Sequence, residues 1–177
     1  MRDRFPITLH LGVSALILNI VVGTLMGVAA AIRRGTWIDT FATFLANIGV
    51  CVPIFWLAVM LIYLFGLQLH WLPIAGYTSP VQDLWKSTRQ IIMPVFCLAI
   101  GGLATTARLT RSSMLEVMRQ DYVRTAWSKG LRERRVVMKH ALKNGLIPVI
   151  TLLGMGFSNI IGGAVLIETV FNIRGMG

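Results

Sequence analysis

The sequence predicts an all-α protein, a polytopic bundle of transmembrane helices, and two observations carry that prediction. The 177 residues are 55% hydrophobic and 14% charged, with a mean hydropathy of +0.71. That composition is too apolar for an ordinary soluble, disordered or collagen-like chain. In addition, long windows contain no Asp, Glu, Lys or Arg, at residues 5–32, 40–82, 90–107 and 144–167. Since about 20 apolar residues cross a bilayer core, each window can hold one span.

We place the spans near 9–32, 41–65, 90–108 and 145–167 within a single domain, 1–177. The segment 66–89 is expected to be a loop, because it contains Gln68, His70, Pro73 and Gly76, which are typical of interfaces and turns. The first span could instead be a signal peptide. Its apolar run exceeds the about 7–15 residues of such peptides, and two arginines follow it directly, so a span is favoured.

The basic residues predict the orientation of the chain. Ten Lys or Arg and only three acids lie between Arg108 and Lys143, and Arg33 and Arg34 follow the first span, so these two loops hold twelve of the seventeen basic residues. Basic loops stay in the cytoplasm. The N-terminus, the 66–89 loop and the tail from Glu168 are then external. We also expect a fragment of a longer membrane protein, because an external N-terminus without a preceding span is unusual.

Inside the spans the sequence indicates packing more than chemistry. Small residues recur every fourth position in two stripes, which allows helices to approach closely. Prolines are expected at kinks or helix ends. No ionisable residue falls inside the predicted spans, which argues against a proton-coupled carrier. The two stripes are Gly23, Gly27 and Ala31, and Gly154, Ser158 and Gly162. The prolines are Pro53, Pro94 and Pro148. The polar residues that could line a path are Asn19, Asn47, Ser158 and Asn159.

Each of these four candidate residues could equally form hydrogen bonds between helices. The cysteines Cys51 and Cys97 lie in spans without motif spacing, so we expect no disulfide and no metal site. An intramembrane hydrolase is the enzymatic alternative, because Gly156-Phe-Ser158 begins like a nucleophile elbow. The elbow needs glycine at position 160, where this chain has Ile, so no catalytic residue is predicted.

The predicted cytoplasmic loop, 109–143, is amphipathic. Apolar residues recur at helical spacing over 112–129, Gly130 is expected to end that helix, and a second helix then places basic residues on one face and apolar residues on the other. Three functions fit such a loop: a solvated loop that orients the protein and attracts anionic lipid, a nucleic-acid site, or a docking element for a cytoplasmic partner. No nucleic-acid recognition module accompanies the charge. Composition does not separate the other two.

The run from Asp121 to Pro148 resembles the conserved cytoplasmic loop of binding-protein-dependent ABC importer permeases, specifically the dipeptide, oligopeptide and nickel permease family. That motif is Glu-Ala-Ala, three residues, Gly, nine residues, then Ile-x-Leu-Pro. Here Arg124-Thr-Ala126 and His140-Ala-Leu-Lys143 occupy its ends and Gly130 matches. The Glu, the first Ala and the Pro are missing, as expected of the peptide branch. Further similar segments cover nearly the whole chain, including Arg4-Phe-Pro6, Pro53, Leu72-Pro73 and Glu168-Thr-Val-Phe171.

This resemblance implies a type I ABC importer permease fold, truncated at both ends, in a bacterial cytoplasmic membrane. It implies two cytoplasmic ATPase subunits, a second homologous permease, an external solute-binding protein and membrane lipid as partners. The partner subunits would use ATP, and this chain would bind no cofactor; it contains no phosphate-binding loop. The implied ATPase-coupling residues are Asp121, Tyr122, Arg124, Thr125, Ala126, Lys129, Gly130, Arg132, Arg135, His140, Leu142 and Asn144.

The cargo implied by the resemblance is a dipeptide or oligopeptide, with nickel chelates or glutathione as alternatives. A different class also stays open at this point. The chain could be a polytopic membrane protein outside the ABC family, whose basic loop only sets topology.

Overall fold

A computed structural model of the chain describes residues 4–176, with the backbone alone for Arg134 and residues 157–161. Over these residues the chain is helical and contains no strand. The helices are α1 (Phe5–Ile32), α2 (Trp37–Cys51), α3 (Ile54–Gln68), α4 (Leu84–Val117), α5 (Asp121–Ser128), α6 (133–145) and α7 (Ile147–Val170). The all-α prediction is confirmed.

Helix α4 is the centre of the bundle and packs against α1, α2, α3 and α7. It begins at Asp83, whose side chain accepts a hydrogen bond from the Lys86 backbone N–H at 2.9 Å, as N-cap residues do. Its 34 residues extend for roughly 50 Å at 1.5 Å per residue, more than a bilayer core needs. The helix therefore continues past the predicted span end at 108 and into the basic loop.

The first small-residue stripe lies where α1 meets α4. A β-carbon on Gly27 would lie 2.5 Å from the Ala107 carbonyl oxygen and 2.5 Å from Thr110 Cβ, and one on Gly23 would lie 3.0 Å from Thr106 Cβ. The two helices thus approach closely where the stripe predicted it. The second stripe behaves differently, because β-carbons on Gly154 and Gly162 would meet nothing within 4 Å among the side chains that the structure describes.

Pro53 divides the span predicted near 41–65. Val52 is extended with ψ 122°, and Pro53 precedes α3 with φ −61° and ψ 131°. A residue before proline disfavours the α conformation, so α2 ends there. The axes of α2 and α3 form a bend of 104°. Among the described residues, two continuous helices, α1 and α4, are long and apolar enough to cross a membrane. The number rises to as many as four if each bent pair of helices is counted as one span.

The other predicted proline positions differ from Pro53. Pro94 lies inside α4 without ending it, and Pro148 lies in the first turn of α7, where its missing N–H costs no helical hydrogen bond. The helical stretch 112–129 predicted in the loop is also divided. Gln120 is extended with ψ 149°, so α4 ends at Val117 and a separate α5 starts at Asp121.

The segments predicted to share a side of the membrane do meet at one end of the bundle. At the predicted external end, the Gly76 N–H donates to the Phe171 carbonyl at 3.4 Å, and His10 Nδ1 lies 3.0 Å from the Tyr77 hydroxyl. Burial raises the pKa of this Tyr77. At the other end, Arg111 donates to Asp39 through Nε at 2.6 Å and Nη2 at 2.8 Å.

Candidate functional site

The basic hairpin, which we define as residues 121–145, consists of α5, a turn and α6. Gly130 has φ +75°, a left-handed conformation that favours glycine, so the predicted helix-ending role is confirmed. Its N–H donates to the Trp127 carbonyl at 2.9 Å. A β-carbon there would meet nothing within 4 Å, so the glycine serves the backbone conformation and not a tight contact.

Apolar contacts hold the hairpin closed and attach it to the bundle. Val123, Ala126 and Val136 are buried between α5 and α6. Val137 and Ala141 are buried with Ala31 of α1 and Met114 of α4 in a second cluster. The apolar face predicted for the second helix therefore packs on α1 and α4.

Two hydrogen bonds also join the hairpin helices to each other and to α4. The Asn144 side-chain amide donates to the Tyr122 hydroxyl at 2.8 Å, which joins α6 to α5. The Ser113 hydroxyl donates to the Gly145 carbonyl at 2.8 Å in a buried position, which joins α4 to the end of α6. A β-carbon on Gly145 would lie 2.8 Å from Met114 Sδ, so this junction tolerates little displacement. The hairpin is linked to α4 at its base as well as through its core.

The outer face of the hairpin is basic and partly aromatic. Tyr122, Trp127 and Met138 are 42%, 41% and 56% exposed. They lie among exposed basic side chains, namely Arg124, Lys129, Arg132, Arg135, Lys139 and Lys143. Aromatic residues, Met and Arg are enriched in protein interfaces, so this face has the composition of a contact surface.

The remaining predicted coupling residues lie around this face. Asp121 is exposed and 3.9 Å from Arg124, whereas the Thr125 hydroxyl donates within its own helix to the Asp121 carbonyl at 2.8 Å. His140 and Leu142 are half-buried. The structure thus brings all the predicted coupling residues into one hairpin, with Ala126 inside it.

A cavity of ≈540 Å³, partly open at the surface, is lined by residues of α1, α3, α4 and α7. Asn19, Thr105 and Thr106 are its polar lining, beside Gly101 and Gly102. Asn19 occupies a π-helical turn, Asn19–Gly23, and is only 4% exposed. Such turns are frequent at functional sites. Its Oδ1 and the Thr106 hydroxyl have no hydrogen-bond partner in the part of the chain that the structure describes.

Of the four residues predicted to line a path, the structure places Asn19 in the cavity. Asn47 is exposed on α2 and does not line this cavity. The side chains of Ser158 and Asn159 lie outside the described residues. The adjacent Thr105 and Thr106 were missed, although two hydroxyl residues beside two glycines in an uncharged window offered a signal.

Glu168 is a buried acid at the end of α7. The sequence places it one residue beyond the predicted span, but α7 continues to Val170 and Glu168 is 2% exposed. The Thr8 hydroxyl of α1 donates to its carboxylate. The Met176 N–H donates to the same Thr8 oxygen at 3.1 Å, so the tail folds back over this acid.

Comparison with known proteins identifies the family to which the chain belongs. Residues 23–177 match the family model described as "Binding-protein-dependent transport system inner membrane component". A peptide transport system permease protein of Brucella abortus (strain 2308) is 45% identical over 177 residues, which covers 100% of this chain and 56% of that protein. The dipeptide transport system permease protein DppB of Bacillus subtilis (strain 168) is 43% identical, with 100% and 55% covered.

The chain therefore spans about half the length of the curated relatives it matches. Among solved structures, the crystal structure of an amino acid ABC transporter with histidines is similar, with a TM-score of 0.64 at 15% identity. The match covers 98% of this chain and 72% of that one. At that identity the likeness shows the fold alone, and it agrees with the predicted permease fold.

Proposed function

The chain belongs to the family of binding-protein-dependent transport system inner membrane components, and from this premise we propose that it forms part of the permease of an ATP-driven peptide importer. The permease provides the membrane passage, while ATP is hydrolysed by two cytoplasmic partner subunits. A second homologous permease completes the passage, and an external solute-binding protein delivers the cargo.

The basic hairpin is the observation that carries this proposal. A lever between an ATPase and a membrane helix needs a rigid contact element with a stiff connection to the spans. The hairpin has an apolar core, a hydrogen bond from Ser113 to Gly145 at its base and an exposed basic and aromatic face. Movement of this face is thereby transmitted to α4 and α7. The residues that would contact the ATPase are those on the exposed face, with Gly130 at the tip.

The cavity beside Asn19 is the proposed section of the translocation path within this chain. Its volume of ≈540 Å³ falls within the about 300–1,000 Å³ of small-ligand pockets. Buried polar atoms without partners favour a ligand that can form hydrogen bonds, as a peptide backbone does. The relatives' names support peptides as the cargo. Nickel chelates and glutathione are the alternatives.

Crosslinking in the intact parent complex tests the coupling role. Because Gly130 has positive φ, the reporter cysteine is better placed at the adjacent exposed residue, as Lys129→Cys, after replacement of Cys51 and Cys97. We expect a crosslink to an ATPase subunit that changes in yield when nucleotide is bound. Gln82→Cys, exposed on the predicted external side, is the matched control and should give none. Free labelling of the Lys129 position with no co-purifying ATPase contradicts the coupling role.

A charge reversal separates coupling from a loop that only sets topology. The double variant Arg132→Glu with Arg135→Glu removes exposed basic charge from the hairpin face. If the loop contacts an ATPase, this variant weakens ATPase association. If the loop only orients the chain, association is unchanged while topology or lipid binding is altered.

Cargo is tested separately, by the binding of dipeptides, glutathione and a nickel chelate to the partner solute-binding protein. Selective binding of dipeptides supports the peptide assignment. Selective binding of either alternative overturns it and leaves the permease role intact.

A further inference from the structure

A second cavity, of ≈500 Å³, lies at the predicted external end of the bundle. It is formed by the loop that follows α3 and the first two turns of α4. We call it the external cavity. Its polar lining consists of His70, Lys86, Arg89 and Gln90, and Trp85 completes one side. Nothing in the proposed transport cycle uses these residues.

The external cavity is cationic. Lys86 and Arg89 are one helical turn apart, so they share a face of α4. No Asp or Glu lines the cavity within the described chain. The Arg89 guanidinium donates to the Trp71 carbonyl, which fixes its position while leaving other N–H groups to donate. These two residues are also exceptions to the charge pattern, because twelve of the seventeen basic residues lie in the two predicted cytoplasmic loops. Their charge therefore does not serve the predicted orientation.

The depth of the cavity in the membrane points to a lipid. Lys86 and Arg89 immediately precede the span predicted to start at residue 90. The flanking Trp71 and Trp85 are 60% and 74% exposed, and tryptophan concentrates at the level of the lipid headgroups. Exposed Leu84 beside them, at 69%, gives acyl chains an apolar surface. A phosphate at this depth would meet both cations.

The Gln90 side chain favours a ligand that donates a hydrogen bond. Its Oε1 is buried and has no hydrogen-bond partner among the residues described. Its amide nitrogen lies beside Gly76, 3.5 Å from where a β-carbon would be. An ammonium headgroup could donate, but Lys86 and Arg89 repel it. A hydroxyl donates without added positive charge.

We propose that the external cavity binds the headgroup of an anionic phospholipid that carries a hydroxyl beyond its phosphate, as phosphatidylglycerol does. Lys86 and Arg89 hold the phosphodiester, and Gln90 accepts the headgroup hydroxyl. This proposal does not depend on the cargo or on the coupling role of the hairpin.

Lipid titration of the purified intact complex tests the proposal, with bound lipid counted by native mass spectrometry. Phosphatidylglycerol, phosphatidic acid and phosphatidylcholine are the probes. Each of Lys86→Ala and Arg89→Ala should weaken binding of both anionic lipids about fivefold, because a basic residue near the surface contributes about 1 kcal/mol. Arg174→Ala, exposed on the same side but outside the cavity, is the matched control and should change neither.

The charge-neutral variant Gln90→Leu identifies the hydroxyl contact. We expect this variant to weaken the binding of phosphatidylglycerol about fivefold, the effect of one lost hydrogen bond. The binding of phosphatidic acid should be unchanged. Gln82→Leu is its control. Equal losses in the cavity variants and their controls overturn the proposal, as does displacement of the lipid by inorganic phosphate. Unchanged phosphatidylglycerol binding in Lys86→Ala and Arg89→Ala with weaker binding of the solute-binding protein assigns the cavity to that protein instead.

Discussion

Gly27 is a point of close approach between α1 and α4. The α4 backbone carbonyl of Ala107 occupies the place that a β-carbon would need. Glycine costs helix propensity, about 1 kcal/mol relative to alanine, so the close approach of the two helices is what the residue contributes. The contact also lies one helical turn from the π-helical turn that carries Asn19. Residue size here therefore controls the spacing at the cavity.

Gly27→Ala tests this contact. The added methyl group would lie 2.5 Å from backbone and from Thr110, and such overpacking costs about 1–3 kcal/mol. We expect a lower melting temperature of the detergent-solubilised complex. Gly154→Ala, where a β-carbon meets nothing within 4 Å, is the matched control and should not lower it. Equal stability of the two variants would mean that α1 and α4 separate at little cost.

Asp39 and Arg111 form the other decisive residue contact. Two hydrogen bonds of 2.6 and 2.8 Å join them, and the Gly35 N–H also donates to Asp39 at 3.1 Å. The Asp39 side chain is 9% exposed and that of Arg111 is 31% exposed. The pair links the first turn of α2 to the extension of α4.

Asp39→Asn removes the charge and keeps the shape. Since Arg111 is partly solvated, we expect a loss of about 1–2 kcal/mol of stability, measured by thermal unfolding. Asp121→Asn is the control, because its ion pair with Arg124 spans 3.9 Å with both side chains exposed. Such pairs contribute little. A control variant as unstable as Asp39→Asn would disprove the structural role of the Asp39 pair.

At the scale of elements, the proposed coupling role of the basic hairpin requires that α5 and α6 move together. Their shared core is small, with Val123, Ala126 and Val136 buried. A hydrogen bond from the Asn144 side-chain amide to the Tyr122 hydroxyl also joins them. The rigidity of the hairpin therefore depends on a few side chains. It also depends on the extended residue Gln120, which separates α5 from α4.

Tyr122→Phe removes the acceptor of this bond while the ring is retained. We expect less peptide transported per ATP hydrolysed by the reconstituted complex, with a loss of about 0.5–1.5 kcal/mol in stability. Asn144→Ala should behave alike, and the double variant should be no worse than either single one, because both lose one shared bond. Ser128→Ala, whose hydroxyl bonds only within α5, serves as the control. Additive losses in the double variant would argue against the shared bond.

At the scale of the whole molecule, the bundle has two chemically different ends. One contains the basic hairpin and the Asp39–Arg111 pair. The other gathers the start of α1, the loop around Tyr77 and the tail after α7, where Glu168 and Thr8 are joined. The charge pattern assigns the hairpin end to the cytoplasm.

Cysteine labelling in intact cells tests this sidedness. A membrane-impermeant maleimide should label Gln82→Cys in whole cells and Lys129→Cys only after permeabilisation, in a background that lacks Cys51. Both positions are exposed, so access and not burial determines the result. Labelling of Lys129→Cys in whole cells would mean that the chain has the opposite orientation to the one predicted.

How far the sequence predicts the structure depends on the range of the interactions involved. The all-α bundle, the turn at Gly130 and the close packing at Gly23 and Gly27 were all predicted, because periodicity and glycine conformation are local properties. Which of the predicted path-lining residues lie at the cavity was not predictable from the sequence. Asn19 lines it and Asn47 does not, since which face of a helix meets a cavity depends on packing against other helices.

The sequence by itself determined an apolar helical bundle, a basic hairpin and the family resemblance that the comparisons confirmed. Only the tertiary structure decided that α2 and α3 bend by 104°, that Glu168 is buried against Thr8, and that Thr105 and Thr106 share a cavity with Asn19. The physical reason is the same in each case. Hydropathy and charge are carried by each residue wherever it lies, whereas burial, pairing and cavities arise between residues that are distant in sequence.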